Sequence, residues 1–374
     1  MNKFFKSFII SLMVGIPITL CICFILYMKS DINQSDTIPD TPVLMDNLPE
    51  TTDEVSSFEP ENTPDSSDSV TLSFAGDVHF SELIIQKYDN SGISAIIDEE
   101  MLSHMENADL MILNHEFVFS TRGEAMEDKE YTLRNDPKYV KILQELGADV
   151  VSIANNHVLD FGKDAFLDTL ETLENANIAY AGGGRNIQEA SKPVVREING
   201  QTFAIFAATR VSPSADWYAG KKHPGVFQTY DAAALNDAIT DADTKSDYVI
   251  VFVHWGIERA EIPEEYQRTL AKGYIDAGAD LIIGAHPHIL QGFEYYKNVP
   301  ICYSLGNYLF GNRTDETILL NVTFDKNENL SIKLIPCKRI DGILTKIQEP
   351  SKLFNHLTDI SFDAAVSHGG ILIQ

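Results

Sequence analysis

The chain has 374 residues, enough for one large core or two domains, and carries a net charge of −27. That acidity excludes a general nucleic-acid or anionic-surface binder, which needs a basic face, so no nucleic-acid partner is expected. Of four cysteines two fall in the hydrophobic N-terminus, which excludes a disulfide scaffold; Cys302 and Cys337 allow one bond at most. Lys3 and Lys6 precede an uncharged run from Ser7 to Met28, closed by Lys29. About 20 apolar residues span a bilayer, and Pro17 is tolerated there. Leu20 and Ile22 precede the cysteines where a lipobox needs a small residue, and no small-residue cleavage site stands out. Residues 1–30 therefore predict an uncleaved signal anchor, a single pass through the cell membrane with the lipid bilayer as its partner. The two lysines favour a cytoplasmic N-terminus and an extracellular remainder.

Residues 31–70 hold Ser, Thr, Pro, Asp and Glu without Lys or Arg. Such a stretch cannot bury enough surface to offset its ordering entropy and predicts a disordered acidic tether. From Thr71 strands and helices alternate. Helices are predicted over Ile93–Met105, Pro137–Leu146, Lys163–Asn175, Ala232–Thr240 and Glu264–Ala277. Asn199-Gly200 within 196–208 predicts a hairpin, and Ile318–Phe324 with Leu330–Pro336 a second one, so part of the sheet is antiparallel. The pattern predicts one mixed α/β domain over 71–348, with helices covering the sheet, and a weakly patterned tail over 349–374.

Five apolar runs end in ligand-type side chains. Leu72–Ala75 runs into Asp77 and His79, and Leu110–Leu113 into Asn114, His115 and Glu116. Val150–Ala154 runs into Asn155, Asn156 and His157, with Asp160 three residues on. Tyr248–Val253 runs into His254, and Leu281–Ile283 into His286 and His288 around Pro287. In an open α/β sheet such ends gather on one edge, where ligands bind. Asp77 and His79, two apart in extended chain, are expected on one side, as are Asn114 and Glu116, with His115 facing away. Oxygen and nitrogen donors without thiolate suit divalent Mn, Fe or Zn, and the set suffices for two ions.

Taken in order, AGDVH, ADLMILNHE, IANNHVLDFG, VHWGIE, GADLIIGAHPH and YSLGNYLFG resemble the CapA/PgsA family of poly-γ-glutamate capsule biosynthesis proteins, from about Leu72 to Gly311. That resemblance implies an α/β mixed-sheet sandwich of the calcineurin-like metallophosphoesterase type. It implies Asp77, His79 and His288 as ligands of one metal, Asn156, His254 and His286 of the other, and Glu116 as bridging carboxylate with Asn114 nearby. His157 is then the general acid and Asp160 holds its imidazole, although Asp160 reads equally as a helix start. Asn307 lines the site or serves a turn; Arg134 and Arg185 contact an anionic substrate or sit on the surface; Trp217 and Tyr218 wall the site or pack a loop. The implied partners are a membrane-bound polymer-synthesis complex and an anionic polymer or a phosphate or carboxylate substrate. Three functions stay open: a dinuclear-metal hydrolase or transferase, a non-catalytic assembly or export factor using the same metal site, and a carboxylate-binding receptor.

Overall fold

Alternation along the apolar strands builds the layers. In Gln201–Thr209, Phe203, Ile205 and Ala207 enter one core cluster while Ala204, Phe206 and Ala208 enter another. Tyr248–His254 divides the same way, Ile250 and Phe252 to one side and Val249, Val251 and Val253 to the other. Both faces are covered, which is why these strands read as nearly continuous apolar runs.

The computed structural model describes residues 69–311, 315–325 and 329–374. The expected anchor, and all but the last two residues of the expected tether, lie outside them. Among the described residues no helix is long and apolar enough to cross a membrane. Two sheets face each other. The first runs in the order Ile343–Lys346, Leu330–Ile340, Glu316–Phe324, Val70–His79, Leu110–His115, Val150–Ser152 and Ala179–Ala181, with Asn307–Phe310 pairing the far end of Val70–His79. The second runs Phe293–Tyr296, Val299–Cys302, Leu281–Ala285, Tyr248–His254, Gln201–Thr209 and Val194–Ile198. In the second sheet the central strands are parallel and both margins antiparallel; in the first, Val70–His79 is parallel to the strands on one side and antiparallel to Glu316–Phe324 on the other, so the mixed α/β expectation holds.

Phe74, Ile112, Ile205, Phe252, Ile283 and Leu320 belong to the core between the sheets. Helices Glu99–Glu106 and Gly162–Asn175 cover the outer face of the first sheet through Met101, Met105, Phe166 and Leu170. Helices Ala233–Asp243 and Glu265–Asp276 cover the second through Leu235, Ile239, Ala271 and Ile275. The result is four layers, helix on sheet on sheet on helix. Each fully buried large side chain contributes about 1.5–3 kcal/mol.

The hairpins form as expected; Asn199 and Gly200 both take positive φ, 51° and 76°, as a two-residue turn requires. The helix expected over Ile93–Met105 is interrupted. Ile97 bridges to Leu344, Asp98 N donates to Leu344 O (2.9 Å), and the Asp98 carboxylate caps the helix Glu99–Glu106 through Met101 N. Residues beyond 350, weak in pattern, form the helix Ser351–Asp359 and a short pair, Ala365–Val366 with Leu372–Ile373; Leu353, Phe354 and Leu357 enter the core. Cys302 and Cys337 are free and buried on strands of different sheets, and burial pushes both thiols up.

One close approach sets the site's edge. A Cβ on Gly76 would lie 2.0 Å from the carbonyl oxygen of Gly306, the atom that accepts from Asp77 N. Gly76→Ala must push the Asp77 strand from the Gly306 turn, since both neighbours are backbone. Thermal denaturation should show a loss of about 1–3 kcal/mol.

Candidate metal centre

Register brings the strand ends together. Asp77 pairs with Asn114 on one side and Asn307 on the other, Asn114 pairs with Ser152, and His254 lies between Thr209 and Ala285. The two sheets then meet across this edge. His286 N points at the Asp77 carboxylate (3.3 and 3.4 Å), and His254 Nε2 lies 2.8 Å from Asn156 Oδ1. His286 and His288 hold φ of 98° and 58°, backbone that non-glycine residues rarely adopt and that functional sites concentrate.

Two groups of buried side chains could hold metal ions: Glu116, His286 and His288, and Asp77, Glu116 and His254. Within each the donor atoms lie within 4.8 Å of one another, and Glu116 belongs to both. Glu116 Oε1 and His286 Nδ1 are buried without a hydrogen-bond partner. Two carboxylates in contact with imidazoles, with donors left unsatisfied, fit a divalent cation that would satisfy both. Burial, then Asp77, pushes the Glu116 carboxyl well above its usual range. Burial opposes ionisation of Asp77 too, but His288, Asn114 and His286 outweigh it and hold Asp77 low. Burial, together with neighbouring histidines, drives His254 far down and His286 to about 3, the neutral form that ligates.

Asn114 braces the cluster. Its Nδ2 donates to Asp77 Oδ1 (2.8 Å) and Glu116 Oε2 (3.2 Å), while its Oδ1 accepts from Asn155 Nδ2 (3.2 Å). Asn155 also donates to the carbonyl of His115 and accepts from His157 N (3.0 Å), tying two strand ends together. Asn307 Oδ1 sits 2.9 Å from His288 Nδ1, which also lies 3.1 Å from Asp77 Oδ2; these contacts set that ring's orientation. Outside the ligand groups, His157 Nδ1 bonds Asp160 Oδ2 (2.7 Å), which fixes the ring and turns Nε2 away from the pair. His115 packs on Phe117 (3.9 Å between centroids) and Phe119, facing away as expected.

His79 belongs to neither group. It lies near them all the same: burial, then the charges of His157 and His288, drives its imidazole to about 3. His79 stands between the rings of Phe117 and Phe310 and lines a cavity of about 810 Å³ with Arg134 and Asn135. Arg134 stacks on Phe161 at 4.0 Å. Arg185 forms a two-pronged pair with Glu174 (2.8 Å each) and belongs to that surface. Trp217 is buried, with Lys129 5.2 Å from its ring, whereas Tyr218 is half-buried beside Tyr230.

Lys129 carries no sequence signal, lying in an acidic loop that fits no motif. It binds Asp160 and the carbonyl of Asn156 and approaches His157 Nδ1 (3.1 Å). Asp160 in turn accepts from Leu133 N through its carboxylate (2.7 Å) and from Met126 N through its carbonyl (2.8 Å), so it ties the 126–133 loop to the His157 turn.

The fold and site together define a mixed α/β protein with a buried histidine–carboxylate cluster able to hold metal ions at the strand ends. Residues 71–312 match the family described as bacterial capsule synthesis protein PGA_cap, and the chain belongs to that family. It is 32% identical over 277 residues to the PGA biosynthesis protein CapA of Bacillus subtilis, covering 72% of each chain. It is 28% identical over 301 residues to the capsule biosynthesis protein CapA of Bacillus anthracis, covering 77% of this chain and 73% of that one.

Proposed function

We propose that this chain acts in the synthesis or export of poly-γ-glutamate or a related envelope polymer, through a hydrolase or transferase site of metallophosphoesterase type. The names of its relatives support the polymer. One observation carries the chemistry: Glu116 is shared by two metal-capable groups and presents a buried oxygen that nothing in the protein satisfies. Asp77, Glu116, His254, His286 and His288 are the proposed ligands, with Asn156 Oδ1 beside His254, and two ions of the Mn, Fe or Zn class are the proposed occupants. Bound there, they would supply Lewis acidity at a phosphorus or acyl carbon and offset developing negative charge.

The protein's own part follows from its hydrogen bonds. Asp160 keeps the His157 proton on Nδ1, leaving Nε2 to exchange a proton with a leaving oxygen. Lys129 neutralises Asp160 and seats its loop over the pair. Asn114 and Asn307 hold Asp77, Glu116 and His288 in place. His79 and Arg134 are assigned to the cavity wall that receives the rest of an anionic substrate. The domain is proposed to work outside the cell membrane, anchored by residues 1–30 beside a membrane-bound synthesis complex; the uncharged run Ser7–Met28 supports this.

The test uses the full-length chain loaded with Mn, Fe or Zn and assayed on phosphoester and γ-glutamyl amide probes. Turnover that a chelator removes and added metal restores is expected. Protein that retains no metal, with a melting temperature unchanged by any of the three ions, would sink the reading.

A further inference from the structure

Arg210 follows directly on the strand Gln201–Thr209, and its backbone N donates to the carbonyl of His254 (2.8 Å). Its place is therefore fixed beside a proposed ligand. The guanidinium carbon lies 3.8 Å from the Tyr230 ring centroid and 5.2 Å from that of Tyr266. Tyr266 is itself held, its hydroxyl accepting from Gly256 N (2.7 Å) two residues beyond His254. Tyr230 is 46% exposed and lies 6.0 Å from Tyr218 between centroids, so the aromatic group opens to solvent.

Arg122, Arg185, Arg259 and Arg268 each hold a carboxylate: Asp168, Glu174, Asp315 and Glu294. Arg134, Arg196 and Arg339 instead donate to backbone carbonyls, so each of these arginines spends donors within the protein. Arg210 is half-buried and, among the described residues, meets no carboxylate. Stacking on aromatic rings holds the planar fork in place without using its in-plane N–H donors. A stacked, unpaired guanidinium is ready for a two-pronged bond to an oxyanion arriving from outside.

We propose that Arg210, stacked against Tyr230 and Tyr266, receives a carboxylate of an extended anionic polymer whose reacting bond lies at the neighbouring cluster. This rests on the anionic-polymer reading above and adds a subsite to it. Free phosphate shares the oxyanion chemistry, but it lacks the repeated carboxylates that would let one chain reach both places.

The experiment titrates a synthetic γ-linked glutamate oligomer, and separately inorganic phosphate, into the metal-loaded full-length chain by calorimetry. Arg210→Met and Arg210→Lys are compared with the parent, with metal content and melting temperature measured on every sample. Arg210→Met should weaken oligomer binding about 10- to 100-fold at unchanged metal content and melting temperature. Arg210→Lys, which keeps the charge but loses the fork, should fall between. Equal oligomer affinity in Arg210→Met and the parent would overturn the subsite while leaving the metal centre standing. An equal loss for inorganic phosphate with no preference for the oligomer would overturn the carboxylate assignment. A parent chain that holds metal yet does not bind the oligomer would also overturn it, and loss of metal in the parent would instead count against the function proposed for the cluster.

Discussion

Glu116→Gln should abolish the divalent-metal binding proposed for the cluster while leaving the protein folded. Glu116 is fully buried, contributes to both metal-capable groups, and leaves Oε1 without a partner. Glutamine keeps the shape and the Oε2-side contact with Asn114 but removes the charge that both groups share. Loss of a supporting group beyond the ligands already costs about 10–100-fold in metal affinity, and a shared ligand should cost at least that. Elemental analysis after dialysis reads the result directly. Retention of the parent's full metal content would show that Glu116 is not the shared ligand.

The same substitution has a stability signature of known sign. Glu116 has a folded-state pKa raised well above 4.5 by burial and by Asp77. A raised acid contributes stability that is present at low pH and lost as pH rises through its folded pKa. The metal-free parent should therefore lose stability over that upward window, whereas metal-free Glu116→Gln should not. Denaturation curves at a series of pH values, with chelator present, check this, and adding metal should restore stability to the parent alone.

His157→Ala is the second large effect, and it should separate catalysis from metal binding. His157 lies outside both ligand groups and is joined to Asp160 at 2.7 Å. Removing its ring leaves Asp160 paired to Lys129 and bonded to Leu133 N, so the loop and the ligands keep their supports. Metal content should stay at the parent's level while turnover falls about 10²–10⁴-fold, the range for loss of a positioned acid or base. If the variant keeps its metal and also sustains full polymer production in cells, the cluster acts as a scaffold for assembly or export.

The strand ends were legible because burial on both faces turns parallel strands into apolar runs, and polar side chains at their termini then stand out against that background. His254 illustrates this: it follows six buried residues from Tyr248 to Val253, and its chemistry is the only break in the run. The helices Gly162–Asn175 and Glu265–Asp276 showed equally well, since each must turn one apolar stripe to a sheet. The aromatic surroundings of His79 were not legible, because Phe117 and Phe310 reach it from other segments of the chain. Arg185 shows the same limit. An arginine beside three glycines looks available until Glu174, eleven residues earlier, is seen to hold it.

The amino-acid sequence by itself determined the alternating architecture and the pool of donors, because periodicity and residue chemistry are local properties of the chain. Only the tertiary structure decided which donors stand close enough to share an ion, and that Lys129 and Arg210 stand beside them. Those facts depend on distances between residues as far apart as Asp77 and His286, 209 positions along the chain. Sheet register and loop closure bring such residues together, and no short stretch of sequence encodes either one.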